Sequence, residues 1–387
     1  MLKKSIGTGT VRSRFFFCLS CLLMCLPLFS GPPGKVYGQT IRDHSKPTKQ
    51  AIHNKSKKAI KKKSPSKRHG RFELHSRINT EYTSNLFKVA RKWENQFDTK
   101  NVSGQRFEGL EGPADAVSQV AIEAKQKWKL RKKRSFAVFT HLYYNSHLRN
   151  TIANYVLVGG GMAYDITRHS HLKLYMDYIP SRFKKNYKVQ IAAGKTYKPA
   201  YYFEFKSGIR YRRDWNKKWS SVLGYRLANR KFEDPFTNRN RISHTFTMQS
   251  NHDLFRRVSL ILGLGYTAAL TPSGIEFGVS VNRSYHDMLF KTELNFDLPS
   301  RWDACVGVKY RMRNYTTDVP ADPSHYDRKN GRWATAFELK KKVLKKWLLS
   351  LDILWMVNQT NRDDDELDPD IRGYRVFSLG AGIKYEI

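Results

Sequence analysis

The stretch that decides the fold is residues 207–229, SGIRYRRDWNKKWSSVLGYRLAN. Ile209 and Tyr211 alternate with two arginines, a polar turn follows at 214–218, and the alternation resumes from Trp219. A period of two residues is typical of β-strands whose two faces meet different environments. The stretch therefore predicts a β-hairpin with one apolar face and one face of small or charged residues.

The same strand–turn–strand unit recurs along the chain. Strands are predicted at 72–83, 117–130, 134–147, 153–167, 170–179, 207–213, 219–229, 239–251, 256–268, 286–297, 301–314, 330–342, 346–358 and 371–387. Further strand-like pieces at 183–197 and 274–285 leave sixteen strands open as an alternative to fourteen. Short turns alternate with long polar connections, which are predicted at 84–116, 230–238, 315–329 and 359–370.

Short turns on one side and long loops on the other are typical of a barrel that crosses a bacterial outer membrane. Predicted strands of about 10–14 residues are long enough to cross a bilayer when tilted. Such a sheet must close, because an open edge in lipid leaves backbone groups unpaired. Residues 71–387 are therefore predicted to form an all-β fold, a closed antiparallel transmembrane β-barrel of fourteen strands.

The N-terminus carries an export signal. Basic residues precede an apolar run from Phe15 to Phe29, and residues 1–38 are predicted to be a signal peptide cleaved before Gln39. Residues 39–70 hold eleven Lys and Arg against one Asp and have little to bury, which predicts a disordered basic segment. Only Cys305 remains after cleavage, so no disulfide forms within the mature chain.

Aromatic residues cluster beside the predicted turns and loops. Rings with one polar edge prefer the boundary between lipid and water, so these positions predict a membrane-interface girdle. Its members are Tyr211, Trp215, Trp219, Trp302, Trp333 and Trp347. A soluble β-sandwich with aromatic strand ends is the alternative interpretation of the same pattern.

The strand faces opposite the apolar ones carry many cations. If the apolar faces meet lipid, these side chains line the lumen, and a cationic wall concentrates anions. The candidate pore-lining residues are Arg210, Arg212, Arg226, Lys309, Arg311, Arg313, Lys340 and Lys384. Acidic residues on similar faces, such as Glu204 and Glu338, leave open a filled interior of ion pairs that does not conduct.

Other motifs give no defined chemistry. The acidic run at 363–370 lacks the spacing of a calcium loop and is interpreted as a solvated loop. The glycines at 159–161 have no phosphate-loop context and indicate a bend or a closely packed wall. The chain has no G-x-S-x-G element, and its histidines are scattered. We therefore predict no catalytic residue, no metal site, no cofactor and no enzyme activity.

The export signal, the repeated hairpins and the closing strand GIKYEI at 382–387 resemble Gram-negative outer-membrane β-barrel proteins. Such barrels commonly end in an aromatic-containing strand that the barrel assembly machinery recognises; here Tyr385 is in phase, but Ile387 stands where Phe or Trp is usual. The resemblance implies residence in the outer-membrane bilayer with its lipopolysaccharide. More narrowly, residues 72–387 look like the barrel domain of surface lipoprotein assembly modifiers, without their helical repeat domain.

Two functions remain open at this point. The first is a channel or transport pore that favours anionic solutes. The second is a non-conducting barrel that helps to move or display surface lipoproteins or other proteins. The basic segment at 39–70 suits an anionic cell-wall polymer or lipid, and its exported location argues against a nucleic-acid partner.

Overall fold

The computed structural model describes residues 70–88, 110–130, 134–191, 194–276, 279–320, 322, 324–361 and 373–386. The predicted signal peptide, the basic segment up to residue 69 and the acidic run at 363–370 lie outside the described residues. Among the described residues, no helix is long and apolar enough to cross a membrane. The described part of the chain also has three single-turn 3-10 helices, at Thr151–Ala153, Thr237–Arg239 and Pro299–Arg301.

Fourteen antiparallel strands form the barrel wall, as predicted. They are β1 (Arg71–Thr83), β2 (Asp115–Lys129), β3 (Ser135–His147), β4 (Tyr155–Thr167), β5 (Ser170–Ile191), β6 (Gly194–Asp214), β7 (Trp219–Phe232), β8 (Arg241–Phe255), β9 (Val258–Leu270), β12 (Tyr285–Leu298), β13 (Trp302–Tyr315), β14 (Lys329–Lys342), β15 (Trp347–Thr360) and β16 (Tyr374–Glu386). Two short strands, β10 (Gly274–Glu276) and β11 (Val279–Val281), lie in the connection between β9 and β12.

The wall closes between its first and last strands. β1 pairs with β16 from His75 opposite Glu386 to Thr83 opposite Ser378, and every other wall strand pairs with its two neighbours. The alternative count of sixteen strands was wrong. The piece at 183–197 extends β5 and β6, and β10 and β11 form a separate two-stranded sheet.

The outer face of the wall is apolar. Met176 on β5, Phe246 on β8 and Trp355 on β15 are about half exposed, and polar or small residues alternate with such side chains along the strands. Every wall strand has at least 13 residues, more than the roughly 9–11 that a tilted strand needs to cross a bilayer. Closure and an apolar exterior confirm the predicted porin-like, outer-membrane β-barrel architecture.

The hairpin of β5 and β6 is longer than the sequence pattern predicted. Its strands have 22 and 21 residues, and the register shifts near Ile179 and Phe183. Beyond Phe183, a hydrophobic cluster that is mostly aromatic joins this hairpin to the adjoining part of the wall. The buried members of the cluster are Tyr187, Ala200, Tyr202, Phe232 and Phe236. The predicted loop 230–238 was therefore partly wrong, because β7 continues to Phe232 and Phe236 is buried.

The glycines at 159–161 lie in β4 and mark a closely packed wall, one of the two predicted roles. A Cβ atom on Gly159 would collide with the side chains of His141 and Asp177. One on Gly161 would collide with the carbonyl oxygen of Leu174 on the neighbouring strand. Side chains larger than hydrogen would therefore push β4 away from its neighbours.

Candidate functional site: the lumen wall

The structure places all eight cations that were predicted to line the pore on the face opposite the exposed apolar side chains. On β6 and β7, exposed Ile209 and Leu223 set the outer face, so that Arg210 and Arg226 point inward. Arg210 lies across from a glycine, Gly224, and Arg226 lies across from Gly208. Tyr175 and Thr247 pack over Gly208 and Gly224, so the side chains next to these glycines are neutral.

Four of the eight cations pair with carboxylates. Arg313 binds Asp287 with two hydrogen bonds, from Nε to Oδ1 at 2.7 Å and from Nη2 to Oδ2 at 3.0 Å. The other three pairs are Arg212 with Asp214, Lys340 with Glu338 and Lys384 with Glu386. Within the described ranges, no carboxylate lies within 4 Å of the guanidinium groups of Arg210, Arg226 or Arg311. The interior is thus only partly neutralised.

The predicted interface aromatics lie at the ends of the barrel. Trp215 and Trp219 stack at the turn between β6 and β7 with ring centroids 5.7 Å apart, and Trp347 packs on Tyr385 at 4.7 Å. Tyr211 and Trp302 lie near the same short-turn end. Trp333 lies towards the long-loop end, where its ring packs against Tyr310 at 4.5 Å.

A cavity of about 240 Å³ occupies the lumen towards the long-loop end. We call it the arginine–tyrosine cavity after its central residues, Arg230, Arg241, Arg313, Arg332, Tyr285 and Tyr315. Nine of its described lining side chains are Arg or Lys, and none of them is Asp or Glu. Strands from both halves of the barrel contribute to it, which places it inside the wall.

Loop residues complete this cavity. Lys88 follows β1 and faces the lumen, where the barrel surrounds it. Loss of water around its ammonium group is the largest cause that lowers its pKa from 10.5 to about 8. Neighbouring positive charges add to the shift, from Arg332, Arg311 and Arg182. His325 bonds to Asp322 through Nδ1 at 3.0 Å, and burial lowers the pKa of its imidazole, which favours the neutral ring at pH 7.

The lumen wall has two chemically different arcs. The cationic sector is the inner face of β6–β9 and β12–β14. It includes Arg210, Arg226, Arg241, Arg311 and Arg332. The balanced sector is the inner face of β1–β5, and it includes Arg77, Glu123, His141, Tyr143 and Asp177. We use these two names throughout.

Hydrogen bonds connect the polar side chains of the balanced sector. The Tyr143 hydroxyl donates to Glu123 at 2.7 Å, and His141 Nε2 lies 3.1 Å from Asp177 Oδ1. Arg77 donates to Gln119 at 3.1 Å, and Gln119 in turn donates to the Asn145 amide oxygen at 2.7 Å. Arg77, Glu123, His141 and Asp177 thus each have a polar partner in this arc.

Sequence reasoning missed most of the arginine–tyrosine cavity. Arg230 is in phase with Arg226 on β7 and Arg332 with Lys340 on β14, and Arg241 alternates with exposed Ile242 on β8, so the period-two pattern carried a signal for them. Lys88 and His325 had no such signal, because they belong to connections that fold towards the lumen. Within the described ranges, no group of three or more His, Cys, Asp and Glu residues is arranged to hold a metal ion.

Comparison with known proteins adds likeness in fold only. No family model and no curated protein matches the chain. Among solved structures, a bacterial polysaccharide outer membrane secretin is similar at a TM-score of 0.45 and 8% identity, over 81% of this chain and 98% of that one. The outer membrane channel DcaP of Acinetobacter baumannii is similar at a TM-score of 0.43 and 8% identity, over 84% and 99%. The barrel assignment itself rests on the closed strand order described above.

Proposed function

We propose that this protein is an outer-membrane channel that favours anionic solutes. The observation that carries the proposal is the set of inward arginines, Arg210, Arg226 and Arg311, with no carboxylate within 4 Å among the described residues. Uncompensated cations in an enclosed lumen raise the local concentration of anions and oppose the entry of cations. Fourteen strands give a wider lumen than the eight-stranded barrels that side chains fill.

The export signal and the barrel together favour an outer-membrane location. An exported chain with residues 1–38 as its signal peptide would insert into the outer membrane through the barrel assembly machinery and meet lipopolysaccharide there. β1 starts at Arg71 near the short turn between β2 and β3, so the basic segment 39–70 would leave the barrel on the periplasmic side. An anionic cell-wall polymer or lipid headgroup is the partner that its charge suits.

The test is conductance in planar bilayers. The wild-type barrel is expected to open a channel, and the reversal potential in a KCl gradient is expected to report preference for chloride. Changing Arg210→Gln and Arg226→Gln together should lower that preference severalfold, because it removes two uncompensated charges from the wall. The Arg77→Gln variant is the comparison from the balanced sector, and it should lower the preference less because it removes one charge and not two.

Two results would contradict the proposal. One is the absence of any conductance from correctly folded protein, which would favour the non-conducting barrel that assists surface proteins. The other is a preference for potassium in the wild type. Heat-modifiable migration on a gel verifies folding in each case.

A further inference from the structure

Nine Arg and Lys side chains line the arginine–tyrosine cavity among the described residues. Packing of the barrel wall does not require so many positive charges in one place. Arg230 and Arg313 have carboxylate partners, Glu204 at 2.8 Å and Asp287 at 2.7 Å. Arg241 instead donates to the Tyr285 hydroxyl at 2.9 Å. Like charges in one enclosed space repel each other, so an anion that binds among these described side chains is stabilised by them.

Arg241 and Arg332 have neutral hydrogen-bond partners in the cavity. Arg332 donates to the Asn358 side-chain oxygen at 3.4 Å, a neutral acceptor. In the described part of the chain, no carboxylate lies within 4 Å of either guanidinium group. Both side chains line the cavity and are only partly buried, so that donors remain within reach of the lumen.

Aromatic rings hold several of the guanidinium groups in place. Arg313 lies over the Tyr285 ring at 3.6 Å, and Arg328 lies over the Tyr315 ring at 4.9 Å. Stacking fixes the plane of a guanidinium, and Arg241 and Arg332 also lie against rings, Tyr285 at 5.7 Å and Tyr374 at 5.6 Å. Donors fixed in advance lose less conformational entropy when a ligand binds.

The size and chemistry of the cavity define the ligand. A guanidinium fork matches the oxygens of carboxylate or phosphate groups, and several forks around one space suit more than one such group. A volume of about 240 Å³ lies below the roughly 300–1,000 Å³ of pockets for drug-sized ligands. We propose that the cavity binds a small solute with two or more carboxylate or phosphate groups.

The proposal rests on the proposed function only in that the solute reaches the cavity through the lumen. Binding can therefore be measured without conduction, by calorimetric titration of the purified protein in non-ionic detergent at constant ionic strength. Citrate and inorganic pyrophosphate are the two probes, and acetate is the monovalent control. We expect saturable binding of at least one probe, and the tighter one identifies the preferred oxyanion group.

Variants test the assigned residues. Arg241→Gln and Arg332→Gln should each weaken binding about tenfold or more, because each removes a charge-assisted contact. Arg241→Lys should recover part of the affinity, because it keeps the charge without the fork. Arg77→Gln, which changes an inward arginine outside the cavity, should bind like the wild type.

The outcomes separate this proposal from the proposed function. If neither probe saturates, or if Arg77→Gln weakens binding as much as Arg241→Gln, the cavity is not the site. If the wild type binds a probe but does not conduct, the site stands and the channel function fails. If the wild type conducts anions but binds no probe, the channel stands and the site fails.

Discussion

The two arcs of the lumen follow one sequence rule and reach opposite chemistry. In both arcs, inward polar side chains alternate with outward apolar ones along each strand. In the balanced sector the inward groups satisfy one another, as in the Tyr143–Glu123 and His141–Asp177 contacts. In the cationic sector, Arg210 and Arg226 face glycines across the hairpin. Alternation thus fixes which face a side chain lies on, and its neighbours across the hairpin or two residues along the strand decide whether its charge is paired.

This difference has a physical consequence for the lumen. A hydrogen-bonded network of matched partners stiffens one part of the wall and adds little to the electrostatic field. Uncompensated arginines in the other part contribute to the field along the whole path of a solute. The proposed preference for anions therefore depends on the cationic sector more than on the balanced sector.

The two arcs are expected to differ most in how far the loss of one carboxylate lowers the free energy of unfolding of the barrel. Asp287→Asn breaks the two-bond pair with Arg313 and leaves that guanidinium without its counter-charge. We expect a loss of about 2–3 kcal/mol in the free energy of unfolding, below the roughly 3–5 kcal/mol of a fully buried pair, because the Arg313 side chain keeps 20% of its surface exposed. Tryptophan fluorescence during guanidinium unfolding of the detergent-folded barrel measures it.

The matched change in the balanced sector is Glu123→Gln. It keeps the shape of the side chain and an acceptor for the Tyr143 hydroxyl, so we expect a loss of about 1 kcal/mol or less. Asp287→Asn should also strengthen the preference for chloride. Equal losses in the two variants would remove the energetic distinction between the arcs.

Much of the fold was predictable because its signal is local. The fourteen strands, their faces and the positions of the short turns follow from alternation and turn residues, as at 207–229. The extra length of β5 and β6 was not predictable in the same way. Their ends are held by packing of Tyr187 against Phe236, whose rings lie 5.5 Å apart, a contact between segments distant in sequence.

The site was predictable in part. Asp287 lies directly across the hairpin from Arg313, and Glu204 lies across from Arg230, so the register of two tight hairpins would have given both ion pairs. The second pair was missed because Arg230 was assigned to a loop. The positions of Lys88 and other loop groups depend on closure of the barrel around them, which no local pattern encodes.

A smaller expected effect is a change of anion affinity with pH, because Lys88 lines the arginine–tyrosine cavity. Its pKa of about 8 means that the ammonium is largely charged at pH 7 and largely neutral at pH 9. Citrate is mostly the trianion across this window, so its affinity for the cavity should fall a few-fold as pH rises and Lys88 loses its proton. Calorimetric titration at pH 7, 8 and 9 measures the change.

The control for this step is Lys88→Met, which has no proton to lose. Its affinity for citrate should be lower at pH 7 and nearly constant up to pH 9. A pH step of the same size in Lys88→Met would assign the titration to another group. The Arg77→Gln variant should keep the step of the wild type, because its change lies in the balanced sector.

The smallest expected difference between the arcs concerns the outer face. Trp215 stacks on Trp219 at the short-turn end of the cationic sector, and Trp128 stacks on Phe136 at the same end of the balanced sector, each with ring centroids 5.7 Å apart. Both pairs lie on the outer face, so the charges of the lumen should not affect the stacking energy of either pair. Trp128→Ala should cost about 1 kcal/mol in the free energy of unfolding, and Trp215→Ala about 1 kcal/mol more, because Trp215 Nε1 also donates to Ser221 Oγ at 2.9 Å. Unfolding in lipid vesicles measures both, and a difference well above about 1 kcal/mol would mean that the asymmetry of the lumen extends through the wall.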